Sequence, residues 1–104
     1  MKHAIPHDLD HETARLATRA ALESYAKDFS EYEPRGEWRD SDHATVSFTV
    51  MGKTIEGQVR VTDSAVELEL SKVPFLFRPF RAQATEVIEG EIRGWIEKAR
   101  NGEI

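Results

Sequence analysis

Three consecutive segments of the chain alternate apolar and polar residues with period two, and the short turns between them leave little freedom in how they pair. Residues 43–51 carry Ala44, Val46, Phe48 and Val50 on one side, residues 54–62 carry Ile55, Gly57, Val59 and Val61, and residues 65–71 carry Val66, Leu68 and Leu70. This alternation marks antiparallel strands with one buried and one wet face. Gly52-Lys53, with glycine first, predicts a type II′ hairpin. It sets Val50 opposite Ile55, Phe48 opposite Gly57 and Val46 opposite Val59. A second two-residue turn at Asp63-Ser64 sets Val61 opposite Val66, Val59 opposite Leu68 and Gly57 opposite Leu70. A one-residue slip in either hairpin would turn the apolar set to water. Gly57 weakens its strand but leaves room for the Phe48 ring. The other face, with Thr45, Arg60, Glu67, Ser47, Gln58 and Glu69, is a solvated surface.

The flanking segments read as helices. Residues 11–28 form the first: Asp10 caps it, Glu12 suits its positive end, and Ala14, Ala17, Ala21, Ser24 and Tyr25 make a face of small side chains flanked by Leu16 and Leu22. Pro34 and Gly36 punctuate the exit. A first strand near residues 37–40 points Trp38 to the core when the next loop is odd in length, as Asp40-Ser41-Asp42 is. Pro79 can open the second helix. From Phe80 onward Ala84, Val87, Ile88, Ile92, Trp95, Ile96 and Ala99 make an apolar stripe that Asn101-Gly102 ends. The expected architecture is α+β: helix, four-stranded antiparallel meander and C-terminal helix, with both helices on one face of the sheet. The 104 residues are expected to form one domain.

Composition narrows the function classes. There is no cysteine, which removes disulfides, thiolate nucleophiles and Cys-based zinc sites. A net charge of −5 argues against nucleic acid, whose phosphates need a basic face. Residues 1–10 carry no apolar run, so no signal peptide is expected. The longest apolar stretch, residues 73–77, is far below the ~20 residues of a membrane-spanning helix. A cytoplasmic location is the expectation.

Candidate chemistry is sparse. His3, His7 and His11 are spaced by four, which on one helix would align metal ligands, but Pro6 and the cap at Asp10 break such a helix. No metal and no cofactor is expected. Glu91 lies within the apolar stripe, where burial would raise its pKa and suit it to general acid work. A helix of residues 80–100 outruns the sheet, however, so Glu91 is read as an overhanging, wet residue, and no catalytic residue is assigned. Gly90 and Gly94 each weaken a helix by about 1 kcal/mol relative to alanine. That cost points to a close approach to the first helix or to a second copy, with Leu22 at its boundary. Phe75, Leu76, Phe77, Arg78, Phe80 and Arg81 hold more apolar residues than a turn needs. Either Leu76 and one phenylalanine plug the end of the core, or some of these residues stay exposed and enter an apolar surface with the arginines at its edge.

Ile5-Pro6-His7-Asp8-Leu9 leading to Ala14-Arg15, Trp38, Met51-Gly52-Lys53-Thr54-Ile55-Glu56-Gly57, Val73-Pro74 and the terminal helix with Ile92 and Ile96 together make the chain resemble the small polyhydroxyalkanoic-acid-system family of bacteria. Residues 76–80 are more aromatic and more broken by proline than the family pattern. The resemblance implies association with storage-polyester metabolism or granules and carries over no catalytic residue. The leading expectation is a non-catalytic accessory protein that contacts a granule surface or granule protein. The alternative is a small carrier of an acyl-type ligand, held where the alanine face of the first helix leaves space. An open edge at residues 65–71, guarded by Glu67 and Glu69, leaves the helical layer as the expected route of self-association. The expected state is a monomer or weak dimer.

Overall fold

A computed structural model describes residues 2–103. Its elements are β1 (Lys2–Pro6), α1 (His11–Asp28), β2 (Arg35–Trp38), β3 (His43–Val50), β4 (Lys53–Val61), β5 (Ala65–Lys72) and α2 (Arg81–Arg100), with 3₁₀ turns at Ser30–Tyr32 and Phe75–Phe80. The five strands form one antiparallel sheet in the order β1-β5-β4-β3-β2. The α+β class and antiparallel sheet agree with the sequence reading, but there are five strands rather than four. The additional strand precedes α1, so the order is β-α-β-β-β-β-α.

Strand β1 pairs antiparallel with β5, Ile5 against Val66 and His3 against Leu68. The β5 edge expected to be free is therefore covered. Five residues with one large aliphatic side chain and a proline give no detectable alternation; what selects them is the row of unpaired amides and carbonyls on β5. Ile5 is fully buried against Leu68, Ile92 and Ile96 in the same core.

The second hairpin has the expected register, with Val61 opposite Val66 and Gly57 opposite Leu70. The first is displaced by two residues. Phe48 faces Ile55, Val46 faces Gly57, and the turn is Met51-Gly52, both with positive φ (52° and 76°). Positive φ at both turn positions matches a type I′ turn rather than the expected type II′. A two-residue displacement keeps parity, so the same side chains stay buried. Gly57 consequently makes room not for Phe48 but for Leu70 and the Glu69 carbonyl, 3.2 and 3.3 Å from where a Cβ would sit. Strand β2 runs two residues earlier than expected, while Trp38 does pair with core-facing Ala44.

Helix α1 has the expected bounds, and Asp10 accepts from the Thr13 amide at 2.8 Å. Ala14, Ala17 and Ala21 are completely buried, so this face is closed to solvent. Helix α2 starts at Arg81, with Pro79 inside the preceding 3₁₀ turn rather than at the helix start. Its buried stripe is Thr85, Ile88, Ile92 and Ile96, whereas Val87 and Phe80, expected in the stripe, are exposed. Thr85 fits there because its hydroxyl donates to the Arg81 carbonyl at 2.9 Å. Gly90 and Gly94 approach nothing: a Cβ on either would meet no atom within 4 Å. The close approach to α1 that one reading gave these glycines is not made.

Candidate functional site: an apolar end of the sheet

At one end of the sheet the end of β3, the start of β4 and the end of β5 converge, so Val50, Ile55 and Leu70 lie side by side under α2. The β4–β5 ladder breaks there: Gly57 faces Leu70, but Glu56 faces Lys72, leaving Ser71 as an extra residue. A bulge of this kind bends the strand and ends pairing. Val73-Pro74 then turns the chain over the sheet end, and the Phe77 amide donates to the Pro74 carbonyl at 2.9 Å, starting the 3₁₀ turn.

Within Phe75–Phe80 one phenylalanine enters the core, while Leu76, expected to join it there in one of the two readings, is exposed. Phe77 plugs the core at 9% exposure, while Phe75 (84%), Leu76 (57%) and Phe80 (57%) stand in solvent. Period three puts residues 74, 77 and 80 along one line of a 3₁₀ turn, but Phe80 at its end already rides over the surface. Arg78 holds its guanidinium 5.7 Å from the Phe75 ring, a cation–π arrangement, and the Arg81 Nη2 donates to the Leu70 carbonyl at 3.3 Å. Met51, 82% exposed at the β3–β4 tip, adds to the same end beside Val50.

Behind this rim lies an open groove of about 400 Å³, with Val50, Ile55, Leu70, Val73, Ala84 and Val87 among its walls. Its polar contributors are Arg81 and Gln83. The stretch from Leu70 to Thr85 carries Lys72, Arg78 and Arg81 and no carboxylate, in a chain of net charge −5. The groove end is thus apolar, with Arg81 as the charged side chain in its lining.

A second cluster, which the sequence did not reveal, sits near the start of α1. The His11 Nε2 is 2.7 Å from the Asp42 Oδ1 and its Nδ1 is 2.6 Å from the Asp63 Oδ1. Arg15 donates to the same Asp42 oxygen at 2.6 Å and to Glu12 at 2.9 Å. Both ring nitrogens face carboxylates, so the doubly protonated imidazolium is the form that fits, and the hydrogen bonds it donates to Asp42 and then Asp63 raise the His11 pKa. Arg15 first, and then His11, hold Asp42 at about 2. Asp42 is placed by its own backbone, its carbonyl accepting from the Val61 amide at 2.7 Å. These residues are 31 and 52 positions from His11, which is why no local signal announces them. With both nitrogens engaged, His11 fastens three chain segments together and is not poised as a base.

The three spaced histidines are divided among separate roles. His7 is buried in the turn before α1, its Nε2 2.9 Å from the Thr62 carbonyl and its Nδ1 accepting from the Leu9 amide at 3.2 Å, while His11 serves the carboxylate cluster. Among the described residues no group of three His, Cys, Asp or Glu side chains is arranged to hold a metal ion. Glu91 is half-buried and accepts from the Trp95 Nε1 at 3.3 Å, with Lys98 over the same indole at 4.3 Å. Leu22 packs against the core with Ile88, whereas Gly90 and Gly94 lie on open helix surface. Among the described residues, no helix is long and apolar enough to cross a membrane.

No curated protein and no solved structure matches the chain. A protein-family model described as "Putative polyhydroxyalkanoic acid system protein" matches residues 3–96. That span begins inside β1 and ends in α2, taking in β2 to β5, the bulge and the apolar end. The chain therefore belongs to the polyhydroxyalkanoic acid system protein family.

Proposed function

We propose that the protein is a non-catalytic accessory component of the polyhydroxyalkanoate system, acting in the cytoplasm and docking on the polyester granule surface or a granule protein through its apolar end. The observation that carries this reading is the exposure of Phe75, Leu76 and Phe80 together beside Arg78 and Arg81. Exposed apolar side chains grouped on one end mark an interaction surface, and arginines at its edge keep their charged heads in water while their stems cover apolar area. Family membership supplies the polyester context. His11 locked between carboxylates and Glu91 engaged by Trp95 support the non-catalytic part. Co-sedimentation with purified granules tests the reading. Wild type should be enriched over an unrelated protein of similar charge, and the double substitution Phe75→Ser with Leu76→Ser should reduce it to background. Equal recovery of wild type and control would count against granule docking.

The groove favours a second reading, a carrier of an acyl-type ligand. Its place is not under the alanine face of α1, which is closed, but between α2 and the sheet end, where about 400 Å³ is open and apolar. That volume lies within the ~300–1,000 Å³ range of small-molecule sites.

A further inference from the structure

We propose that the groove seats one free acyl chain of medium length ending in a carboxylate, with the chain along Val50, Ile55, Leu70 and Val73 and the carboxylate at the mouth against Arg81. This rests on the carrier reading and narrows it to an anionic ligand. The walls supply hydrocarbon contact and the mouth supplies a guanidinium, so the groove is asymmetric in the same sense as a fatty carboxylate. Among the described residues Arg81 and Arg78 make no ion pair, in contrast to Arg15, Arg93 and Arg100, each of which has a carboxylate within 3.0 Å. Arg81 reaches only the Leu70 carbonyl, at 3.3 Å, and keeps donors of its planar fork for a carboxylate. Arg81 is the charged side chain in the groove's lining, so this mouth attracts an anion within an acidic chain. A cationic amphiphile would lack that attraction, and an uncharged chain would use the walls alone.

The test is titration of the full chain with decanoate below its micellar concentration, alongside decanol, decyltrimethylammonium and butyrate. Calorimetry and the methyl resonances of Val50, Val73 and Val87 provide the readout. Decanoate should saturate one site and shift those methyls, with decanol weaker by roughly ten-fold, the scale of one charge-assisted hydrogen bond. Arg81→Gln should remove that advantage and leave decanol unchanged. Ala84→Phe should block the groove to every decyl compound, with Val87→Trp as the replacement should circular dichroism show the first to be unfolded. Equal binding of decanoate, decanol and decyltrimethylammonium would overturn the carboxylate assignment while sparing the carrier reading. No saturable shift with any decyl compound would overturn both. The granule arm separates them from docking: Phe75→Ser with Leu76→Ser removes granule recovery and keeps decanoate binding, because those side chains lie outside the groove.

Discussion

At the scale of single residues, two positions carry consequences that can be measured. His11 sits between Asp42 and Asp63, and its pKa is raised by those contacts. A raised folded value means that the charged form is favoured on folding. The contribution is therefore complete below the unfolded value near 6.5 and disappears as pH rises through the folded value. Asp42 behaves oppositely: depressed from 3.8 to about 2, its contribution is present above 3.8 and fades as pH falls toward 2. Urea denaturation of wild type and His11→Gln should show their difference shrinking from pH 6 toward alkaline pH, given the raised folded value. A difference that grows across that interval would contradict the assignment. Gly57 is the second position. A methyl group there would press on the Glu69 carbonyl, which cannot rotate away, so Gly57→Ala should destabilise the protein by about 1 kcal/mol or more in the same assay.

At the scale of elements, α2 shows how a sequence cost and a structural role can part company. Gly90 and Gly94 were expected to permit close packing within the chain, yet both lie on open surface. Alanine at either position should therefore raise stability by about 1 kcal/mol, the propensity difference. We propose that this open face, rather than a sheet edge, is where a second copy would pack. Light scattering over a concentration series decides between monomer and weak dimer; if a dimer is found, Gly94→Leu should abolish it while its monomer remains at least as stable as wild type. The 3₁₀ turn Phe75–Phe80 illustrates the reverse case. Its composition left two roles open, and the turn buries Phe77 while exposing Phe75, Leu76 and Phe80. Backbone geometry divided the roles.

At the scale of the whole molecule, β1 closes the architecture. It caps β5, brings Ile5 into the core, and leaves only two short strands, β1 and β2, at the sheet edges. Short edges are poor templates for adding strands. Removing residues 1–6 should expose β5 and strip a fully buried isoleucine from the core. Thermal melting should then show a large fall in stability, and sedimentation should show concentration-dependent association. Ile5→Ala, which keeps the strand, should cost roughly 2–5 kcal/mol. Arg100, paired with Asp8 at 3.0 Å, ties the end of α2 to the same N-terminal segment.

What the sequence determined by itself was whatever depends on neighbours close along the chain: the bounds of α1 and its cap at Asp10, the alternating faces of β3, β4 and β5, the Asp63-Ser64 hairpin and the parity of Trp38. The six residues of the apolar end were also visible, because hydrophobicity beyond the need of a turn is a local property. Tertiary structure decided the rest. Parity allowed two registers for the first hairpin, and the folded chain takes the one whose turn, Met51-Gly52, has two positive φ values. Strand β1 has no pattern of its own and exists because β5 offers it a partner. The His11 cluster gathers residues as many as 52 positions apart, and the groove is a space between elements, bounded by side chains from the sheet end, the 3₁₀ turn and α2. Neither an edge contact nor an empty volume is written in any one segment, since both arise only when separate segments occupy the same region of space.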